Sequence, residues 1–337
     1  MISKILNKLR GNRTGYNIGR KILSAPIIAN NSIYNRLYDK KINKSIIKLN
    51  KEYPQGVEIG TTNLCNAECI MCPHSKLKKM GTMNMNLYKK IINNCYKLNI
   101  KSVILSFFGE PFLDKKIIEK IKYAKEKGIH VAFYSNASLL NEELANKIVD
   151  SGLDNISISF DGYSKETYEK IRKKLKFDVV RENILNLIET KKRMKKTNPI
   201  INLVLVELEE NKKEIKKFYS EWKGKVEGIN IINMRNWANS MEKEGTKESF
   251  HFNKKMKRKP CALVWQEMVV DWDGNVVLCN NDWNHSAVLG NLKKQTIEEI
   301  WKGDKLKKIR EAHIKGEFWK VPLCSDCNKK SVWWMVD

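Results

Sequence analysis

The sequence predicts an α/β protein: a partial (β/α)6 barrel followed by a small C-terminal module made of a β-hairpin and a helix. Three observations carry that expectation. Between residues 57 and 233, short β-rich runs alternate with amphipathic helical stretches in six units. Strands alternating with helices imply a parallel sheet, and six units fall short of the eight that close a full barrel. The eight cysteines are grouped into a front triplet, a rear quartet and one singleton.

The elements follow in order. Residues 1–50 carry 11 Lys or Arg against one acid, Asp39, with apolar Ile5, Leu9, Ile22 and Leu23 recurring loosely. They read as a basic helical extension that packs on the main domain or touches a membrane surface or an acidic partner. The barrel, 51–233, opens with a strand at 57–61. Helix 86–98 and strand 102–108 come next. Helix 114–127, with Ile117, Ile118, Ile121 and Ala124 on one face, leads to strand 130–135. Helix 141–151, strand 155–160, helix 178–196, strand 199–208, helix 211–222 and strand 228–233 complete the series. Residues 234–260 are polar, carry a Lys/Arg run and end at Pro260, so they read as a linker. The module 261–337 begins with a hairpin over 268–279, with Asp273-Gly274-Asn275 in its turn, and continues with helix 296–313. Cys95 shares a helix face with Leu87, Ile91 and Leu98 and reads as core.

Composition excludes several classes. At 42% hydrophobic and 30% charged, the chain is neither disordered nor membrane-like. It has no apolar run of about 18 residues, so no transmembrane segment is expected. The start lacks the apolar region of a signal peptide, and a cytoplasmic location follows. The net charge of +25 invites a nucleic-acid reading, yet only 10 of the 63 basic residues are Arg. Phosphate recognition favours Arg forks, so the charge reads mainly as Lys-rich composition. A zinc-containing nucleic-acid-binding protein stays open as an alternative of another class, on the charge and the Cys324-x2-Cys327 knuckle.

In the cytosol, clustered cysteines point to metal or catalysis. The triplet Cys65-x3-Cys69-x2-Cys72 offers three thiolates in the loop after the first strand, where sites of such folds lie. A closed zinc site wants four ligands. Three suit a cubane iron–sulfur cluster with one iron left open to bind something chemical. The quartet Cys261-x17-Cys279-x44-Cys324-x2-Cys327 supplies a closed set, suited to a cluster that passes electrons or to a zinc ribbon.

With these residues in view, the sequence resembles the radical S-adenosylmethionine (radical SAM) enzymes over roughly residues 55–331. The run CNAECIMC matches their CxxxCxxC loop, and the family's fold is a TIM-barrel-like partial (β/α)6 barrel. The C-terminal module resembles their SPASM/twitch extensions, and four cysteines fit the shorter, one-cluster twitch form. Phe108-Gly109-Glu110-Pro111 resembles the GGEP motif that binds the methionyl amino group, with Phe108 in place of the first Gly. Ser135-Asn136 resembles the T/S-N-G turn, with Ala137 in place of Gly. Ser159-Phe160-Asp161-Gly162 resembles the S-x-D-G motif. The resemblance therefore implies S-adenosylmethionine and two [4Fe–4S] clusters as cofactors. It puts Cys65, Cys69 and Cys72 on the first cluster and Cys261, Cys279, Cys324 and Cys327 on an auxiliary one. Gly109, Glu110, Pro111, Ser135, Asn136, Ser159 and Asp161 are then cofactor-binding. Glu207, at the end of the fifth strand, joins them as a residue lining the site, and Arg235 is the catalytic candidate by position.

The implied chemistry is reductive cleavage of S-adenosylmethionine followed by hydrogen-atom abstraction from a substrate carbon. The quartet's spacing resembles that of one-cluster members that dehydrogenate an aminocyclitol. Oxidation of a sugar- or cyclitol-type alcohol is thus the first specific expectation, with the auxiliary cluster taking an electron. The runner-up is a peptide-modifying SPASM maturase that forms thioethers, epimerises residues or oxidises side chains. A small flavodoxin or ferredoxin is the electron donor that the resemblance implies.

Overall fold

The computed structural model describes residues 53–237 and 258–325, together with Lys40, Ile46 and Cys327. The expected basic extension, apart from those two residues, and most of the expected linker lie outside the described residues.

The chain begins with β1 (Gly56–Ile59), the two-residue β2 (Glu68–Cys69), α1 (Met85–Lys97), β3 (Ser102–Ile104), α2 (Ile117–Glu126), β4 (His130–Ser135), α3 (Glu142–Asp150) and β5 (Asn155–Ser159). It continues with α4 (Lys165–Ile171), β6 (Arg172–Lys173), α5 (Phe177–Arg193), β7 (Ile200–Glu207), α6 (Ile215–Trp222) and β8 (Gly228–Asn233). Strands β1, β3, β4, β5, β7 and β8 are parallel neighbours in that order. These are the six strands of the expected partial barrel. Val57, Ile59, Phe133, Ile158 and Leu203 are buried in one core with Ile91, Ile121, Ile184 and Trp222 of the helices. Side chains alternate across a strand. Glu58, Tyr134, Ser157, Ser159, Asn202 and Asn230 therefore look to the opposite, concave face.

Helix starts follow local chemistry. Asn84, Asn141 and Ser164 each accept a hydrogen bond from the backbone N–H three residues on, opening α1, α3 and α4. Within α2, Lys120 is fully buried. It pairs with Asp114 at 2.5 Å and donates to the Met83 carbonyl at 2.7 Å, which pins the helix to the end of the loop that follows β1. The pair α4–β6 has no counterpart in the sequence expectations, because one polar seven-residue helix and two strand residues leave little periodicity to read.

The second region holds α7 (Leu263–Gln266), β9 (Glu267–Val270), β10 (Asn275–Val277), β11 (Val288–Asn291), α8 (Ile297–Lys302), α9 (Asp304–Lys315) and α10 (Pro322–Ser325). The expected hairpin is β9–β10, turning at Gly274 with φ +86°. The single helix expected at 296–313 is instead two. Gly303 takes an extended backbone that ends α8 and begins α9, and Gly is weak inside a helix. The hairpin also joins the main sheet. β9 pairs in parallel with β1, from Gly56↔Glu267 to Ile59↔Val270, and β10 and β11 continue the sheet antiparallel. Among the described residues, no helix is long and apolar enough to cross a membrane.

Candidate active site

The loop that leaves β1 carries Cys65, Cys69 and Cys72, and a local web closes it on itself. Thr62 and Thr82 face each other across an antiparallel bridge with their hydroxyls 2.9 Å apart. The Asn63 side chain accepts from the Gly81 N–H and donates to the Lys79 carbonyl, both at 2.7 Å. His74 Nε2 lies 2.7 Å from the Asn63 carbonyl. Cys69 is itself in β2, which pairs with β6 in the register Cys69↔Arg172. Burial pushes the Cys65 thiol up to about 11 and the Cys72 thiol to about 12, with neighbouring cysteines adding to both. Metal binding there must displace protons.

The residues at the second, third and fourth strand ends converge on this loop. Gly109 has φ +135°, and a Cβ there would stand 2.5 Å from the Thr62 carbonyl, so only glycine fits. The Glu110 N–H donates to the Leu64 carbonyl at 2.7 Å, next to Cys65. The Glu110 carboxylate is buried. It accepts from Ser135 Oγ at 2.7 Å, from the Asn136 N–H at 2.7 Å and from the Phe112 N–H at 3.2 Å. Burial pushes this carboxyl up to about 6 against those hydrogen bonds. Three of its roughly four acceptor sites are used, which leaves one for a ligand. Asn136 in turn donates to Asn66, the residue after Cys65, at 3.0 Å. Ala137 adopts φ +56°, an unfavourable region for alanine, and buried Asn183 clamps its carbonyl at 2.9 Å. Phe108 is buried against Phe107 and Trp237, and Trp237 Nε1 donates to the Met71 carbonyl beside Cys72 at 2.7 Å.

Asp161 is fully buried. One of its oxygens accepts from Arg172 at 2.5 and 2.6 Å, and the other accepts from the Val206 N–H at 2.6 Å. Arg172 Nη1 lies 3.5 Å from Cys69 Sγ, so Asp161 reaches the triplet through this arginine. Ser159 is half-buried at the end of β5 on the concave face. Glu207 is exposed at the end of β7, in register with Asn233.

Arg235 points to the rear quartet. Its Nη1 donates to Asn280 Oδ1 at 3.1 Å, and Asn280 Nδ2 donates to Glu58 Oε2 on β1 at 3.2 Å. Asn281 links two of the cysteines, its N–H lying 3.4 Å from Cys279 Sγ and its Nδ2 3.5 Å from Cys327 Sγ. The buried Cys324 thiol is pushed up by burial and then by Cys279, Cys261 and Cys327, so the four sulfurs gather. The Cys261 N–H donates to His313 Nδ1 at 3.1 Å, and burial holds that histidine down at about 4.

The donor sets fit iron–sulfur clusters better than single ions. Among the described residues, the group of His, Cys, Asp and Glu with ligand atoms all within 4.8 Å of one another is Asp271, Asp273 and His285, not three cysteines. Thiolates on one tetrahedral zinc, each at 2.3 Å, would stand roughly 3.8 Å apart. Among the described residues, no three cysteine sulfurs are drawn in to that spacing.

Sequence reasoning missed Arg172, Glu58, Asn280 and Asn281. Arg172 stands beside Cys69 across 103 positions of chain, and Glu58 meets Asn280 across 222. No local spacing signals either meeting.

A model of the radical SAM superfamily matches residues 59–221, and a model of an iron–sulfur cluster-binding domain, SPASM, matches residues 261–328. An uncharacterized protein of Methanocaldococcus jannaschii is 36% identical over 140 residues, 41% of this chain and 46% of that protein. The chain thus spans about half of that relative's length. The S-adenosyl-L-methionine-dependent 2-deoxy-scyllo-inosamine dehydrogenase of Niallia circulans is 24% identical over 281 residues, 82% of this chain and 93% of that enzyme. Among solved structures, BtrN in complex with AdoMet and 2-DOIA superposes with a TM-score of 0.55 at 20% identity, over 83% of this chain and 95% of that one. At that identity the likeness is one of fold.

Proposed function

Because the chain belongs to the radical SAM superfamily and carries an iron–sulfur cluster-binding domain behind its barrel, we propose that it dehydrogenates a cyclitol- or sugar-type secondary alcohol. As a radical SAM oxidoreductase it uses S-adenosyl-L-methionine and two [4Fe–4S] clusters. In this reading Cys65, Cys69 and Cys72 hold the cluster with the open iron, and Cys261, Cys279, Cys324 and Cys327 hold the auxiliary one. When bound, these groups supply one-electron cleavage of the sulfonium and abstraction of a hydrogen atom from substrate carbon.

The chain's own residues do the positioning. Backbone carbonyls around Gly109 and the remaining acceptor site of Glu110 receive the ammonium of the cofactor. Ser135 and Asn136 fix Glu110 and tie it to the cysteine loop. Asp161 sets Arg172 beside Cys69, where its N–H favours the thiolate. Ser159 and Glu207 line the rim. The substrate lies over the concave face, whose Glu58, Ser157, Asn202 and Asn230 can hydrogen-bond a polyol. Held near the reacting carbon, such a substrate needs little further orientation. Arg235 orients Asn280 and so lines the wall towards the quartet.

The observation that carries this reading is the continuous sheet. β10, which leads into Cys279, joins through β9 to β1, which leads into Cys65; β10 runs antiparallel to both, so the two cysteine groups lie towards opposite ends of the face between them. The relative matched over 93% of its length, a 2-deoxy-scyllo-inosamine dehydrogenase, supports the substrate class. A small flavodoxin or ferredoxin donates the electron, and a reducing, cytoplasmic setting suits seven clustered thiols. The zinc-containing nucleic-acid reading is not favoured once the family is assigned.

The test is to reconstitute the enzyme anaerobically and incubate it with 2-deoxy-scyllo-inosamine and related polyols deuterated at the carbinol carbons. Deuterium in 5′-deoxyadenosine together with a ketone product is expected. Label arriving only from a peptide would overturn the alcohol reading in favour of peptide modification.

A further inference from the structure

Oxidising an alcohol requires more than removal of hydrogen from carbon. When a carbon radical bearing a hydroxyl becomes a carbonyl, the O–H bond breaks, the C=O π bond forms, and one proton and one electron leave. The electron needs a one-electron acceptor, which the iron–sulfur centre at the rear quartet supplies. The proton needs a base on the concave face, and none of the family's cofactor motifs provides one.

We propose that Glu58 takes the substrate hydroxyl proton, beside the side on which the electron leaves. This inference rests on the alcohol-dehydrogenase reading above. Val57 and Ile59 are buried in the helix-facing core, so alternation turns Glu58 inward. Its neighbours in register are apolar, Ile104 on β3 and Val269 on β9. A carboxylate there is costly, and a purely structural role is better filled by an apolar residue. The Asn280 amide fixes it at 3.2 Å, and Arg235 fixes Asn280 in turn at 3.1 Å. Asn280 directly follows Cys279. The proton acceptor therefore stands one side chain away from a residue of the electron-accepting site.

The other groups on this face serve less well. Arg235 is a cation and cannot accept a proton. Tyr134 is half-exposed on the same face, and its phenol is held up by desolvation and by the nearby Glu58 carboxylate, so it stays protonated. Glu267 opens β9 opposite Gly56, at the strand end away from the cysteine loop.

The experiment uses holoenzyme with both clusters and the deuterated polyol panel. In wild type, the ketone formed should match the deuterated 5′-deoxyadenosine. In E58Q, ketone per deuterated 5′-deoxyadenosine should fall at least tenfold, while E58D recovers part of it. Freeze-quenched E58Q should accumulate a substrate radical signal by electron paramagnetic resonance. If E58Q keeps the wild-type ratio of ketone to deuterated 5′-deoxyadenosine, Glu58 is not the proton acceptor. If no panel member labels 5′-deoxyadenosine in wild type, the alcohol reading fails and this inference fails with it.

Discussion

The two cysteine regions differ in how the chain builds them. The triplet lies within residues 65–72, on one loop closed by its own neighbours: Thr62 on Thr82, Asn63 on Gly81 and Lys79, and His74 on Asn63. The quartet runs from 261 to 327 and is gathered by long-range structure: a hairpin added to β1, two helices broken at Gly303, and Asn281 lying between Cys279 and Cys327. The first site is a local object that the barrel positions, and the second exists only once its region has folded. A metal bound at the second site should therefore contribute to stability as well as to chemistry.

The strongest break in this comparison is at the triplet. Changing Cys69 to Ala should abolish 5′-deoxyadenosine formation and lower reconstituted iron from about eight to about four atoms per chain. The web of Thr62, Asn63 and His74 does not pass through this thiol, and its Arg172 contact is long at 3.5 Å, so the melting temperature should move little. Cys279→Ala should lower iron to the same level and behave otherwise. It should spare part of S-adenosylmethionine cleavage, block ketone formation and lower the melting temperature markedly. Equal thermal effects of the two substitutions would erase the proposed difference.

The same contrast explains how much was legible in the sequence. The triplet, the six parallel strands and the core role of Cys95, which is fully buried, depend on short-range spacing and periodicity. The S-x-D-G resemblance pointed to Asp161 but could not reveal its partner, since Arg172 arrives on a two-residue strand with no pattern of its own. The hairpin at 268–279 was readable, but its parallel pairing with β1 was not, because strand partners more than two hundred residues apart leave no local trace. For the same reason Glu58 looked like one more residue of a strand.

An intermediate effect is expected at the buried pair that serves the triplet. Asp161 is fully buried and Arg172 nearly so, so Asp161→Asn leaves a buried guanidinium without its partner. The cost should be about 3–5 kcal/mol of unfolding free energy, read from the denaturant midpoint of the holoenzyme. Glu298→Gln, which removes an exposed pair with Lys302 at 2.6 Å in the quartet region, should cost under about 0.5 kcal/mol. A comparable cost at both positions would mean that burial does not distinguish them.

A smaller effect than at Asp161, and one that depends on pH, concerns Glu110, which couples the triplet loop to β4. Its carboxyl is raised by burial from an ordinary 4.5 to about 6, so between these values the folded chain holds a proton that the unfolded chain has released. Stability from this group is present below about pH 4.5 and is lost as pH rises through about 6, a fall of about 2 kcal/mol. Ser135 makes the protonated form tolerable, because its hydroxyl can rotate from donating to Glu110 to accepting from it, while the Asn136 N–H keeps the other oxygen. Glu110→Gln cannot titrate and should flatten the slope between pH 4.5 and 6, measured by denaturant titration at several pH values. Its amide must also present an N–H either to Asn136 or to the side shared by Ser135 and, more distantly at 3.2 Å, the Phe112 N–H. The serine can reverse its role and the Phe112 contact is the longest of the three, so the amide oxygen should stay on Asn136, and the loop near Cys65 should keep its hold on β4. A slope that survives in this variant would assign the titration to another group.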